Sequence, residues 1–457
     1  MALFKTSTGE NFMVSYPVDT TITINESSIL RAVPSDFGGL SVNINVVFDF
    51  ITLGETTPSV LQLYKNLGTS IMRMGVGDSR YWYPDTVPDP WPPTTYINED
   101  TVDRVCAIIE EIDWNVIWLL NLRYNDPTMF SAMANYIYGK LGSRLIGFEI
   151  GNEPDNYYYN GIRDPSYTYA DYLAEWEAYK TAIKTYNSAI PLCGPSVGDM
   201  DWLHNFSVDK GADIDFLNFH LYPTGRTGTG TIAPTIQNIL SKRLMDSIKA
   251  DIVESMGYAT TAGLPLVMGE SNSVGTKGVD GVSNTFAATL YGLDYMFHLL
   301  ENGYRHVSFH GSYEYVDSYY GTILQGGIPG PLYYSLLCAH YAAPDGNSVA
   351  STTVSSNNVS GHAVVKSDGK LSVVIVNKDV NYSAHVKITP AGTYSEATAI
   401  FLTAPAIDSK TGITLGGNAV AADGTWTPGY PTNLSIVNGS ALITLLPGSA
   451  AVVTLTV

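Results

Sequence analysis

The chain has 457 residues, enough to bury one large core and a satellite domain. Hydrophobic residues make up 45% of it and charged residues 15%, an ordinary globular balance that excludes a disordered chain. With 43 Asp and Glu against 24 Lys and Arg the net charge is −19, which excludes nucleic acid and an anionic membrane surface as partners.

The N-terminal segment, residues 1–35, reads as β: residues 20–24 alternate and an apolar run over 29–33 follows. From residue 36 to 341 short apolar runs alternate with amphipathic stretches. The runs at 39–45, 70–76, 115–122, 145–150, 191–196, 214–221, 265–269 and 306–310 read as strands. The stretches at 57–67, 101–112, 127–141, 167–186, 201–210, 236–256, 284–301 and 332–341 read as helices. Eight strands alternating with helices predict an α/β fold with a parallel sheet closed into a (β/α)8 TIM barrel. Pro58 suits a first helical turn, and Gly68, Gly142, Gly211, Gly263 and Gly303 stand where helices end. In the seventh helix Phe286, Leu290, Leu293 and Phe297 mark the buried face. Residues 342–457 switch to alternating β runs between Gly, Asn, Asp and Pro turns, which predicts a C-terminal all-β sandwich domain. The N-terminal segment is expected to join that sheet, and the absence of a low-complexity linker predicts rigid packing of barrel on sandwich.

Cys106, Cys193 and Cys338 are far apart, each in an apolar segment, and read as free thiols. No apolar run reaches transmembrane length. The chain opens without a signal-peptide core, so the expectation is an intracellular protein or a secreted one whose leader has been removed. Six glycosylation sequons, at Asn25, Asn205, Asn358, Asn381, Asn433 and Asn438, are near the number chance supplies and place it in no compartment. The 31 tyrosines suit a carbohydrate cleft, since aromatic faces stack on the C–H faces of sugars, and equally suit β-rich structure in general.

Two strand runs end in carboxylates. Asn152-Glu153-Pro154 follows the fourth strand and Glu270 the seventh. Catalytic residues of such barrels sit at the C-terminal strand ends, and these two strands face each other across the mouth. A retaining glycosidase needs a general acid/base and a nucleophile whose carboxyl groups lie roughly 5 Å apart. Glu153 is expected as acid/base, its pKa raised by burial and by the charge of Glu270, and Glu270 as nucleophile. Asn152 offers an amide to a sugar 2-hydroxyl. The sixth strand ends Asn218-Phe-His-Leu-Tyr-Pro223, which puts His220 or Tyr222 near the nucleophile. A tyrosine hydroxyl donating to that carboxylate keeps it ionised. Arg73, on the second strand, needs an acidic partner and is expected beneath the nucleophile, with a structural ion pair remote from substrate as the alternative. No Cys, His or carboxylate cluster around His220 and His310 has ligand spacing, so neither metal nor cofactor is expected.

Phe37-x-Gly-Leu-Ser41, Phe148-Glu-Ile-Gly-Asn-Glu-Pro154, Gly269-Glu-Ser-Asn-Ser-Val-Gly275 and Gly278-Val-x-Gly-Val-Ser283 together resemble glycoside hydrolase family 79. The last run continues as Thr285-Phe-Ala-x-x-Leu-x-x-Leu-Asp294, and Phe309-His-Gly311 follows. That family contains β-glucuronidases and heparanases. The resemblance spans barrel and sandwich, and its specific part is the run after Glu270, since Asn-Glu-Pro is common to many families of the same barrel clan. It implies retention of configuration, the two glutamates in the roles above, and capture of a glucuronate carboxylate by backbone N–H groups after the nucleophile. Here that loop is Gly275, Thr276, Lys277 and Gly278, with Tyr313 and Tyr315 as aromatic helpers. The chain departs from the family at Arg73-Met-Gly-Val-Gly, where relatives carry Arg-x-Gly-Gly. It departs again at Asn43, where relatives often carry an acid. Contacts to the sugar 3- and 4-hydroxyls are therefore open, and a 4-O-methylated or otherwise decorated uronate fits too.

The acidic balance disfavours a polyanionic chain as substrate. The reading is an exo-acting retaining β-glucuronidase on small or oligosaccharide glucuronides. The alternatives are another retaining exo-glycosidase such as a β-glucosidase or β-xylosidase, a heparanase-like endo-enzyme, and a non-catalytic carbohydrate-binding protein.

Overall fold

The computed structural model describes residues 2–5, 11–14, 18–43, 58–76, 81–82, 96–225, 232–311 and 318–457. Eight parallel strands close into a barrel: Gly39–Asn43, Ile71–Val76, Asn115–Leu120, Leu145–Ile150, Leu192–Val197, Phe216–Leu221, Leu266–Ser271 and His306–His310. Each pairs with the next in the chain and the last returns to the first. Their apolar runs follow from burial on both faces, by barrel interior on one side and helices on the other. The side chains of Leu192–Val197 and Leu266–Ser271 are buried without exception.

Local chemistry sets the helix boundaries. Asn98, Asp126, Asp199 and Ser241 each accept a backbone N–H from the first turn of the helix that follows. Thr168 and Asp171 form a capping box on helix Tyr169–Tyr186. Gly263 ends helix Lys242–Ala262 in the left-handed conformation. Two expectations change. The stretch at 236–256 is two helices, Ile236–Ile239 and Lys242–Ala262, because the Ser241 cap starts a new one. Gly211 carries on as a 3-10 turn with φ −53° instead of stopping the chain in the left-handed region.

The β domain is one eleven-stranded sheet that curls over its own core. Strand Thr20–Ala32 lies within it, antiparallel to Ser348–Val354 and parallel to Ala384–Pro390. Strand alternation gives this sheet two buried faces. In Leu371–Asn377, Leu371, Val373 and Ile375 point into the β core, while Val374 and Val376 join the barrel's cluster. Helix Phe286–Glu301 packs under that outer face. It is therefore buried nearly all round, far beyond the four-residue stripe its periodicity marks. The three cysteines are free; Cys193 and Cys338 are buried and Cys106 is half-buried. Burial pushes the Cys106 and Cys338 thiols up to about 12. Among the described residues no helix is long and apolar enough to cross a membrane.

Candidate active site

The barrel floor is built around Arg73, whose side chain is fully buried. Its Nε donates to both oxygens of Glu149, at 3.0 and 2.9 Å. Its Nη1 donates to Ser41 Oγ at 3.0 Å and to Glu270 Oε2 at 2.7 Å, and its Nη2 to Asn152 Oδ1 at 2.7 Å. One planar guanidinium thus links the first, second, fourth and seventh strands. Asn218 from the sixth strand also donates to Glu149. Register between the sixth and seventh strands slips at this level, from Phe219 opposite Met268 to His220 opposite Glu270. Gly269 takes up the slip, and a Cβ there would run into the Asn218 amide.

Glu270 is 5% exposed. Tyr222 donates to its Oε1 at 2.7 Å while Arg73 holds Oε2. Burial alone would raise this carboxyl, but the charges of His310, His220 and Arg73 and the Tyr222 hydroxyl outweigh it and hold it at about 2. Glu153 lies beyond the fourth strand with φ +49°. Its side chain is 23% exposed, and its Oε1 is 3.1 Å from His220 Nδ1. The histidine therefore sits on Glu153, and Tyr222 alone of that pair bonds to Glu270. A carboxylate oxygen of Glu153, one of Glu270 and a ring nitrogen of His220 all lie within 4.8 Å of one another. These donors have the types a cation takes, but Arg73 and Tyr222 already engage both Glu270 oxygens.

The left-handed turn at Glu153 brings Asp155 beneath the loop after the fifth strand. Its Oδ2 accepts from Gly198 N at 3.1 Å and Asp199 N at 2.9 Å, and its Oδ1 has no hydrogen-bond partner among the described residues. Burial first and the charge of Glu153 second push this carboxyl up to about 7.

The loop after Glu270 turns through three successive left-handed residues, Thr276 (φ +51°), Lys277 (φ +66°) and Gly278 (φ +73°). Gly275 N donates to Thr224 O, and Lys277 O accepts from Tyr319 N at 2.7 Å. A Cβ on Gly275 would stand 3.6 Å from Tyr222 Cβ, so the loop lies against the tyrosine that holds Glu270. Thr276 and Lys277 are exposed. Asn43 ends the first barrel strand. Tyr313 and Tyr315 lie outside the described residues.

The structure thus brings together Arg73, Asn152, Glu153, His220, Tyr222 and Glu270. Sequence reasoning gave no role to Glu149, Asn218 or Asp155, and weighed His310 only as a metal ligand. Glu149 carried the clearest signal, a carboxylate inside the apolar strand that leads to Glu153.

No family profile matches the chain. Among curated proteins it is similar to a β-glucuronidase of Neurospora crassa, 26% identical over 260 residues, which cover 50% of this chain and 46% of that protein. It is also similar to a β-glucuronidase of Aspergillus niger, 29% identical over 202 residues, covering 38% of this chain and 36% of that protein. The matches thus span less than half the length of either relative. Among solved structures, a 4-O-α-L-rhamnosyl-β-D-glucuronidase of Fusarium oxysporum superposes with a TM-score of 0.77 at 21% identity. The superposition covers 94% of this chain and 100% of that one. An α-L-arabinofuranosidase of Thermotoga maritima superposes with a TM-score of 0.71 at 14% identity, covering 95% and 99%. The chain has the barrel-plus-β-domain fold of these glycoside hydrolases, and part of it is similar in sequence to β-glucuronidases.

Proposed function

We propose that this protein is a retaining exo-β-glucuronidase. The observation that carries the reading is the pair Glu153 and Glu270, with carboxylate oxygens within 4.8 Å and contrasting surroundings. Retaining enzymes hold their carboxyl groups about 5–5.5 Å apart, and inverting ones about 6.5–9.5 Å. Glu270, ionised and oriented by Arg73 and Tyr222, attacks the anomeric carbon and forms a glycosyl ester. Glu153, more open to the cleft and steadied by His220, protonates the departing glycosidic oxygen. It then takes a proton from the water that opens the ester, and configuration is retained. Asn152, with its Oδ1 fixed on Arg73, presents its NH2 to the sugar 2-hydroxyl.

Similarity to β-glucuronidases supports a uronate in the site. We assign its carboxylate to the 275–278 loop, where Thr276 and Lys277 hold left-handed backbone and Lys277 adds a cation, while Gly275 N and Gly278 N are bonded to Thr224 O and Gly275 O. The −19 net charge favours small glucuronides or the tip of a glycan over a polyanionic chain. Hydrolysis of 4-nitrophenyl β-glucuronide beside the matching β-glucoside tests the substrate class. A strong preference for the glucuronide is expected; equal rates would remove the uronate site and leave the two-carboxylate chemistry.

A further inference from the structure

We infer that the seam between barrel and β domain holds a divalent metal, zinc by its donor set, ligated by Asp294, His298 and His362. Asp294 and His298 lie one turn apart on helix Phe286–Glu301, and His362 comes from strand Val359–Val365 of the β domain. Asp294 Oδ1 is 2.9 Å from His362 Nε2 and 3.3 Å from His298 Nε2. Tetrahedral ligands about 2.0–2.1 Å from zinc stand roughly 3.3 Å apart; the two Asp294 separations are near this, and the three ligand atoms all lie within 4.8 Å of one another.

The side chains are buried, with Asp294 0%, His298 7% and His362 1% exposed. His298 Nε2 stands 3.3 Å from Asp294 Oδ1, within ion-pair reach but outside hydrogen-bond geometry. Both histidines direct Nδ1 to one carboxylate: His362 Nδ1 is 2.7 Å from Glu301 Oε1, and His298 Nδ1 is 3.4 Å from Glu301 Oε2. A carboxylate on the far nitrogen is the outer support that metal-bound histidines require, and it turns both Nε2 atoms toward the gap. Lys378 Nζ donates to Asp294 Oδ2 at 2.8 Å and to Ser360 Oγ at 2.7 Å, which leaves Asp294 a single oxygen to offer. A cavity of about 430 Å³ opens beside the two histidines, lined by His298, Glu301, His362 and Lys378 among others but not by Asp294. Two imidazoles and one carboxylate suit zinc.

Without metal the same groups form an ion-pair network in which His362 bridges two carboxylates. That network holds His298 Nε2 at ion-pair distance from Asp294 Oδ1 without a well-formed hydrogen bond, and a bound ion uses it. The site joins an outer barrel helix to the β domain, so its effect is on stability. Spacing alone concealed it: Asp294 and His298 are neighbours on one helix face, but the third ligand comes from the other domain.

The test strips the full-length protein with chelator, returns zinc, and measures metal content after desalting together with Tm. About one zinc per chain is expected, with a Tm rise of roughly 3–5 °C at a hundredfold excess over Kd. Cobalt in its place should give visible d–d bands. His298→Gln should abolish uptake, and Glu301→Gln should weaken it about 10–100-fold. Wild-type protein that takes up no stoichiometric zinc and keeps its Tm would overturn the inference. So would unchanged uptake in His298→Gln, which would place the ion elsewhere. The wild-type and cobalt measurements decide the matter if a variant fails to fold.

Discussion

Tyr222 donates its hydroxyl to Glu270 at 2.7 Å, and Arg73 grips the other oxygen of the same carboxylate at 2.7 Å. The hydroxyl and the guanidinium act on the ionised form, with His220 and His310 adding to the effect, and the carboxyl stays at about 2 despite burial. In the proposed mechanism this depressed pKa keeps Glu270, as nucleophile, charged across the working range. Its protonation therefore sets an acid limb far below neutrality.

Tyr222→Phe removes one of these supports and leaves the fold in place. A hydrogen bond to a charged group contributes about 1.5–3 kcal/mol, so kcat should fall roughly 10–100-fold. The carboxyl should also rise, moving the acid limb of kcat/KM to higher pH. A pH–rate profile checks both; an unmoved acid limb would count against the role of the hydroxyl.

Arg73→Met leaves Glu149 and Glu270 buried without their shared cation. Breaking a buried pair from one side costs about 3–5 kcal/mol. The expected outcome is a large loss of Tm near neutral pH, partly recovered in Arg73→Met/Glu149→Gln, where fewer buried charges are stranded. Thermal melts of the two variants make the comparison.

Much of this was legible in the chain. Strands buried on both faces read as uniform apolar runs, with Glu153 shortly after one and Glu270 at the end of another, so barrel and carboxylate pair were visible together. The partner of His220 was not visible. A register slip of one residue at Gly269 places His220 opposite Glu270 in the ladder, while its ring reaches Glu153. Such slips depend on packing between strands distant in sequence. The full burial of helix Phe286–Glu301 likewise depends on a sheet that forms later in the chain.

Asp155 supplies a pH signature of its own. Its carboxyl is pushed up to about 7, above the ordinary unfolded value near 3.8. The folded state therefore holds a proton that the unfolded state releases, and stability falls as pH rises from about 4 to about 7. Asp155→Asn keeps an acceptor for Gly198 and Asp199 and removes that titration. Its Tm should decline less than that of wild type between those pH values; parallel curves would assign the slope to another group.

Glu153→Ala should spare glycosylation by substrates with good leaving groups, which need little acid assistance, and should nearly abolish turnover of poor ones. Comparing aryl glucuronides across a range of phenol acidities reads this out. Equal losses throughout would contradict the assignment of Glu153 as acid.

The most direct measurement is trapping with 2-deoxy-2-fluoro-β-D-glucuronyl fluoride, followed by peptide mapping, with the glucosyl analogue alongside. The account predicts one label per chain, on the peptide carrying Glu270, formed much faster by the glucuronyl reagent. A label on Glu153, no adduct at all, or equal labelling by the glucosyl reagent would contradict it.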